Sequence, residues 1–449
     1  MHIKDTIAAI ATPPGKGGIG IIRVSGPLVR ATAANILGHL PVERVATFSD
    51  FLDARGIAID QGIAIFYPAP NSFTGEDILE LQGHGGPVVL NLILSRVLEI
   101  GARLAHPGEF SERAYLNDKL DLAQAEAIAD LIDSVTAQAA RGALRSLQGE
   151  FSSRVRHITD ELIDFRMFIE AAIDFPEEEV DFLQDARLIE RIKLIRSDLR
   201  ALSEEAAQGA LLREGINIVL AGRPNAGKSS LMNRLTGKDT SIVTEIAGTT
   251  RDVIDEHIQL DGLPVKLIDT AGLQHADNPI ETEGVRRALD QIGKSELVLL
   301  IVDIGVHHQD LAKHVDMLLN EFSDVSKYLV VLNKSDLWHE ELIDFAHDYV
   351  FASAKTSNGL DELKDRIKSI VNYNLGGEGI FVARARHIDA LRRALEALER
   401  GKLAFDQEKS GELFAEDLRA TQIALGEITG EFSSDDLLGK IFSTFCIGK

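Results

Sequence analysis

The sequence has a single cysteine. One thiol excludes an internal disulfide framework and a cysteine-only metal cluster. Long hydrophobic runs are also missing. The longest, Leu297 to Val302, falls far short of the about 20 apolar residues that a membrane-spanning helix needs. The N-terminus, Met1-His2-Ile3-Lys4-Asp5-Thr6, lacks the charged-then-apolar layout of a signal peptide. A cytoplasmic protein without a transmembrane segment is therefore expected, with association at a membrane surface left open. Positive charge is scarce as well: the net charge of -23 argues against a protein that coats nucleic acid non-specifically. A local basic face could still meet RNA, because phosphate binding depends on nearby Lys and Arg. What remains is the composition of an ordinary soluble protein, 45% hydrophobic and 26% charged over 449 residues, enough for about three domains.

The chain is organised around Gly222-Arg223-Pro224-Asn225-Ala226-Gly227-Lys228-Ser229, which fits the phosphate-loop pattern G-x-x-x-x-G-K-[ST]. An apolar run, Ile216 to Leu220, reads as a buried strand before it, and Ser230 to Leu235 reads as a helix after it. That strand–loop–helix setting is what the motif requires. Backbone N–H groups from Asn225, Ala226 and Gly227 can close around phosphate oxygens, and the helix N-terminus adds positive potential. Lys228 would reach the β and γ phosphates, Ser229 would bind Mg²⁺, and Ser230 lies beside them.

Around this centre the pattern changes three times. Residues 1–118 alternate short β-like runs with glycine and proline. Strands are expected at Thr6–Ile10, Gly20–Val24, Gly62–Tyr67 and Asp77–Leu81, and a helix from Pro87 to about Gly101. This reads as an α+β domain. Gly15 to Gly20 is glycine-rich but lacks the lysine and hydroxyl of a phosphate loop. Over 119–211 the period is helical, most clearly in Phe151, Val155, Ile158, Leu162, Phe165, Ile169 and Ala172. Residues 212–375 alternate strands (Val265–Ile268, Leu297–Val302, Tyr328–Leu332) with helices, the signature of a parallel sheet covered on both faces. After Gly376-Gly377-Glu378-Gly379, residues 376–449 are helical again, with one stripe at Ile388, Leu391, Leu395, Leu398 and another at Phe414, Leu418, Thr421, Leu425, Ile428. Two helical blocks flanking one α/β domain are most simply one bundle interrupted by an insertion. The expected architecture is thus multidomain: α+β N-terminal domain, α-helical bundle, inserted α/β Ras-like G domain.

Three further motifs select the nucleotide. Asp269-Thr270-Ala271-Gly272 follows a strand, with the Asp269 carboxylate toward Mg²⁺ and the Gly272 N–H toward the γ-phosphate. Asn333-Lys334-Ser335-Asp336 also follows a strand. Asp336 can accept guanine N1–H and the exocyclic amine together, and a site built around such a carboxylate rejects bases lacking that donor pair by ~10⁴-fold or more. Ser353-Ala354-Lys355 completes the base pocket. The nucleotide is expected to be GTP. Gly248 to Asp252 is a plausible switch, with Thr250 the candidate Mg²⁺ ligand that engages only the triphosphate. Water activation departs from the Ras-like pattern: Leu273 stands where a glutamine would orient the attacking water. Asn225 could instead hold a monovalent cation between phosphates, helped by backbone carbonyls of Thr244 to Thr249, or it could be a simple turn residue.

With these motifs, and with Ala11 to Gly15, Asn71 to Asp77, Leu116 to Asp121 and the ending Phe445-Cys446-Ile447-Gly448-Lys449, the chain resembles the MnmE (TrmE) family of bacterial tRNA-modification GTPases from end to end. The resemblance implies an N-terminal domain that binds 5-formyltetrahydrofolate or another tetrahydrofolate derivative and makes a homodimer, and a helical domain built from both sides of the G domain. It implies hydrolysis activated by K⁺-dependent dimerisation of the G domains. By the same match, Asn225, Thr244, Ile246 and Thr249 are K⁺ ligands, Ser229 and Thr250 Mg²⁺ ligands, and Glu281 orients the catalytic water. Arg23, Glu80, Lys119 and Lys449 match the folate contacts; a carboxylate suits the pterin amine, and cations suit the glutamate tail. With the FAD- and NADH-using partner MnmG, such proteins modify C5 of the wobble uridine of certain tRNAs. Cys446 could act as a nucleophile or redox group, or be an ordinary packed cysteine. Arg384, Arg386, Arg392 and Arg393 could touch tRNA or simply line a solvated helix. The rival expectation is a GTP-gated, RNA-binding ribosome-assembly factor, which explains 212–375 equally well.

Overall fold

In the computed structural model, residues 5–174, 186–237, 255–269, 293–307, 311–321, 327–338, 345–374, 380–408, 411–432, 435–446 and 448 are described. They pack into two compact units: Met1–Ala129, Ser146–Arg196 and Ala390–Lys449 form one, and Asp130–Arg145 and Ser197–Asp389 form the other.

In the first unit, strands β1 (Ile7–Ile10), β2 (Gly17–Ser25), β3 (Thr47–Leu52), β4 (Ala58–Tyr67), β5 (Ile78–Gly85) and β6 (Arg103–Leu104) form one sheet in the order β3-β4-β5-β2-β1-β6. All pairings named are antiparallel except β1 with β6. Alternation decides the two faces. Ile22, Val24, Leu79, Leu81, Ala64 and Phe66 point inward, where α1 (Val29–Leu37) and α2 (Pro87–Glu99) cover them with Ala33, Ile36, Ile93 and Val97. The intervening residues, Arg23 and Glu80 among them, lie on the other face. The four expected strands are present, and the predicted helix starts at Pro87 and stops two residues early, at Glu99. β3 carries no clear apolar stripe in sequence, whereas the unpredicted α1 does, with Val29, Ala33, Ile36 and Leu37 on one buried face. In β3, TFSDFL, only Ser49 and Phe51 are buried, so its period was hidden by polar residues on both faces. The glycine-rich Gly15–Gly20 segment is no phosphate loop: Gly17 and Gly20 pair with Gly85 and Gly83 across an irregular start of β2.

The same unit holds α3 (Glu109–Leu116), α6 (Glu150–Asp174), the α13 helix (Gly411–Thr429) and α14 (Asp435–Ser443). The apolar stripes read from sequence meet here. Phe165 and Phe414 stack edge to face at 5.7 Å between ring centres, and Arg166 Nη1 donates to Gln422 Oε1 at 2.7 Å. Helices from before and after the α/β segment therefore share one core. Between these come α4 (Leu122–Ile132), α5 (Ala137–Leu147) and α7 (Ala186–Glu214), with α12 (Ala385–Glu408) following the α/β segment. Each of these four helices spans residues of both units.

The second unit is dominated by a sheet in the order β12-β11-β10-β7-β9-β8: β7 is Ile216–Ala221, β8 Asp255–Leu260, β9 Leu263–Asp269, β10 Leu297–Asp303, β11 Tyr328–Asn333 and β12 Tyr349–Phe351. The strands run parallel except β8 against β9. Near-continuous apolar strands such as Leu297–Val302 are buried on both faces. The helices are α8 (Lys228–Leu235), α9 (Ile304–His307), α10 (Leu311–Glu321) and α11 (Leu360–Ile370). Where strand order changes, the C-terminal ends of β7, β9, β10 and β11 point to one edge, the place where open α/β sheets bind ligands.

Candidate functional site

The loop from Gly222 to Gly227 leaves β7 at that edge. Gly222 adopts φ +145°, and a Cβ there would sit 2.2 Å from the Ile301 carbonyl oxygen, so only glycine fits against β10. Gly227, at φ +93°, has the same constraint from the Asn333 amide, 2.2 Å from where a Cβ would lie. Asn225 takes a left-handed conformation at φ 61° and is exposed, which suits both a turn residue and a side chain free to meet a ligand. Lys228 opens α8. It is only 6% exposed, and its Nζ donates to the carbonyls of Gly222 at 2.8 Å and Arg223 at 3.2 Å. Burial pulls its pKa below the ordinary lysine value, with the Asp269 charge opposing. A buried ammonium folded over a loop of backbone amides is a cation suited to an anionic ligand, so the donor set fits a nucleotide phosphate chain.

Ser229 Oγ donates to Asp269 Oδ2 at 3.3 Å, so the hydroxyl and the carboxylate at the end of β9 converge on one position. Each is an oxygen ligand of the kind Mg²⁺ takes. Ser230 follows on α8 and is exposed.

The base-recognition residues also converge. Asn333, buried at the end of β11, donates from Nδ2 to the Ala226 carbonyl at 2.8 Å and accepts the Ala354 N–H at 3.3 Å. Ser353 Oγ donates to Asp336 Oδ1 at 2.6 Å, and Lys355 Nζ stands 4.0 Å from Asp336 Oδ2. The Ser353 hydroxyl chiefly holds the Asp336 carboxyl below its usual range, keeping it an acceptor. Lys334 Nζ is paired with Asp303 at 2.6 Å. Thr244, Ile246, Thr249, Thr250, Thr270, Ala271, Gly272 and Glu281 lie outside the described residues, as does the Gly248–Asp252 switch candidate.

In the other unit Arg23 and Glu80 are direct cross-strand partners. They form an ion pair with Nη2 to Oε1 at 2.9 Å and Nε to Oε1 at 3.0 Å. The Arg23 guanidinium lies over Phe73 and Phe110, at 5.5 and 5.7 Å. Lys119 is exposed, and its stem packs beside Gly75; Lys449 lies outside the described residues. Residue-by-residue reading of the sequence missed a second charge cluster in the same unit. Arg113 is fully buried and contacts Asp5 Oδ1 at 2.9 Å, Glu76 Oε2 at 3.1 Å and Glu109 Oε1 at 2.9 Å. Arg103 joins Asp5 and Glu109 at 2.6 and 2.5 Å. Ser25 Oγ donates to Glu76 Oε2 at 2.7 Å, and Asn117 Nδ2 to the Thr74 carbonyl at 2.7 Å. The Asn71–Asp77 and Leu116–Asp121 motifs are thus docked on each other. Glu76 lies within the Asn71–Asp77 motif, but nothing local in sequence marks Arg113 as its partner.

Cys446 is exposed, so its thiol is outside the packed core. The tail itself is anchored: Phe442 and Phe445 pack with Leu122 and Ala125, and the Gly108 N–H donates to the Cys446 carbonyl at 3.3 Å. Among the arginines that could have faced tRNA, Arg384 is bound to Asp130 at 2.7 Å, Arg392 to Glu396 at 2.7 Å and Arg393 to Glu427 at 2.6 Å. Among the described residues no helix is long and apolar enough to cross a membrane.

Comparison with known proteins decides the lineage. Residues 6–119 match the family described as the GTP-binding protein TrmE N-terminus, and residues 122–446 match the MnmE helical domain. Proteins of Pseudomonas entomophila and Pseudomonas putida, both named tRNA modification GTPase MnmE, are 54% identical over 453 residues, covering 100% of this chain and 99% of theirs. The chain belongs to the MnmE/TrmE family. The Pseudomonas syringae pv. tomato relative of the same name is 53% identical over 452 residues, covering 99% of each chain. The expected class of enzyme, a GTP-binding GTPase, stands with the family. The G domain of the Thermotoga maritima FeoB iron transporter is 26% identical over 34% of this chain and 98% of its own, with a TM-score of 0.27, a likeness too low to bear on function.

Proposed function

We propose that this MnmE/TrmE family member is a K⁺-dependent GTPase. With an FAD-dependent partner, MnmG, it modifies C5 of the wobble uridine of certain tRNAs to the aminomethyl or carboxymethylaminomethyl form. A tetrahydrofolate derivative supplies the one-carbon unit. The observation that carries the reading is the convergence of Lys228, Ser229, Asn333, Asp336 and Ser353 at one sheet edge in a chain similar along its whole length to proteins named for tRNA modification.

In this reading GTP is the substrate. Lys228 and the amides of Asn225 to Gly227 bind its phosphates, and Asp336, with Ser353, Ala354 and Lys355, selects guanine. Ser229 and Thr250 hold Mg²⁺, which neutralises phosphate charge. Asn225, Thr244, Ile246 and Thr249 hold K⁺, supplying the positive charge that other GTPases take from an arginine. Glu281 orients the attacking water in place of the glutamine that Leu273 displaces. Arg23, Glu80, Lys119 and Lys449 bind the folate, and Cys446 is the candidate nucleophile or redox group. A homodimer through the N-terminal sheet is supported by that sheet's open face, where Phe48 is 72% exposed opposite Ile63. The ribosome-assembly alternative gains nothing from the helices, since Arg384, Arg392 and Arg393 are held by carboxylates of the same chain.

The test is GTP hydrolysis by the full chain in KCl and in NaCl, alongside Asn225→Ala. Stimulation by K⁺ over Na⁺ that disappears in the variant supports the cation assignment. Stimulation retained in Asn225→Ala sinks it.

A further inference from the structure

Arg234 stands in the last turn of α8, the helix that begins in the phosphate loop. The motif ends five residues earlier, at Ser229. The arginine's guanidinium is committed to backbone. Nε donates to the Ala354 carbonyl at 2.8 Å, and Nη2 donates to the Lys355 carbonyl at 3.0 Å. One planar fork spans two successive carbonyls of the base-recognition loop, with its donors fixed in a plane rather than rotating on a flexible stem as a lysine ammonium's do.

These contacts close a circuit. Ala226 in the phosphate loop accepts from Asn333. Asn333 accepts from the Ala354 N–H. The Ala354 carbonyl accepts from Arg234, and Arg234 returns through α8 to Lys228. On the far side of the loop, Ser353 donates to Asp336 and accepts the Thr356 N–H at 3.2 Å. Without Arg234 the carbonyls of Ala354 and Lys355 lose a directed donor, and the loop keeps the Ser353 contacts, the longer Asn333 contact and the 4.0 Å approach of Lys355 to Asp336.

We infer that Arg234 is a positioning residue for guanine recognition: it fixes the Ser353–Lys355 loop to the phosphate-loop helix, so that Ser353 presents Asp336 to the base. The inference rests on the GTP reading given above and adds to it a residue outside the four nucleotide motifs. It predicts that loss of Arg234 weakens the grip on the base while the grip on phosphate persists.

The experiment is release of a fluorescent GDP analogue from the full-length protein, measured by stopped flow for the parent, Arg234→Ala and Arg234→Lys. Pyrophosphate competition, which reports the phosphate loop alone, and the KM and kcat for GTP accompany it. Losing two hydrogen bonds from a charged donor at an exposed site should speed release about tenfold. Arg234→Lys should fall between, because the ammonium keeps the charge and donors but not the fixed planar fork. KM for GTP should rise by a similar factor, with kcat changing less, and pyrophosphate should compete as well as before. Release from Arg234→Ala at the parental rate overturns the inference. So does a loss of pyrophosphate affinity in step with GDP, which would mean that the arginine merely stabilises α8. A parent protein that binds no GDP refutes the GTP reading itself.

Discussion

Arg113→Met tests whether the charge cluster beneath the Asn71–Asp77 motif holds the N-terminal domain together. Arg113 is wholly buried and faces three carboxylates, Asp5, Glu76 and Glu109. Methionine fills much of the volume and supplies no charge. Glu109 keeps Arg103 and the His106 N–H, at 2.5 and 2.8 Å, and Asp5 keeps Arg103 and partial access to water. Glu76 is the loser, retaining the Ser25 hydroxyl. Removing one partner from a buried ionic group costs about 3–5 kcal/mol. The partly exposed Asp5 can rehydrate, so the lower figure, about 3 kcal/mol, is expected. The pH dependence is signed. Burial raises the pKa values of Asp5 and Glu109, but the arginines and the hydrogen bonds they make outweigh it, so both end below their ordinary values. A depressed carboxyl contributes stability that is full above its unfolded pKa, about 4, and is lost as pH falls through the folded value. The gap between parent and variant should therefore be complete at neutral pH and shrink in acid. Hydrogen exchange in peptides covering 5–10, 78–85 and 109–116, combined with urea unfolding, reads it locally, and GDP binding serves as a control in the other unit. A gap under about 1 kcal/mol, the range of an exposed ion pair, or a gap that does not shrink on acidification, would refute the reasoning.

Three other outcomes follow from the geometry. Gly227→Ala forces a Cβ at φ +93° to within 2.2 Å of the Asn333 amide; it should cost about 1–3 kcal/mol in strain and release guanine nucleotides, as thermal unfolding and GDP binding would show. Because burial lowers the pKa of Lys228, the empty site sheds this proton at lower pH than an ordinary lysine, and the phosphates should restore it. Calorimetry in the alkaline range below the ordinary lysine value should then show more proton uptake on GTP binding, in buffers of different ionisation heat, for the parent than for Lys228→Arg, and equal uptake would contradict it. Titration of 5-formyltetrahydrofolate should show saturable binding weakened in Arg23→Ala, since Arg23 is the cation of the Glu80 pair; equal affinity would remove Arg23 from the site.

Much of this was legible in the chain because the informative residues are local. The phosphate loop, Asn333-Lys334-Ser335-Asp336 and Ser353-Ala354-Lys355 each lie on a short loop after a strand, so residue type and order almost determine their place. Stripes such as Phe151 to Ile169 and Phe414 to Ile428 were readable because one face of each helix meets one core. Long-range pairs were not readable. Arg113 meets Asp5 across 108 positions, and Arg234 meets Lys355 across 121; no periodicity encodes either. β3 was hidden because polar residues stand on both of its faces, whereas α1 does carry a stripe, Val29, Ala33, Ile36 and Leu37, and is merely short.

The most direct test of the central claim is the nucleoside content of tRNA from a bacterial strain lacking its own MnmE/TrmE protein and expressing this chain, measured by mass spectrometry. Aminomethyl-type modification at C5 of wobble uridine should return with the parent and fail with Lys228→Ala. Purified protein that hydrolyses GTP while the tRNA of such cells stays unmodified, with MnmG present, would contradict the account.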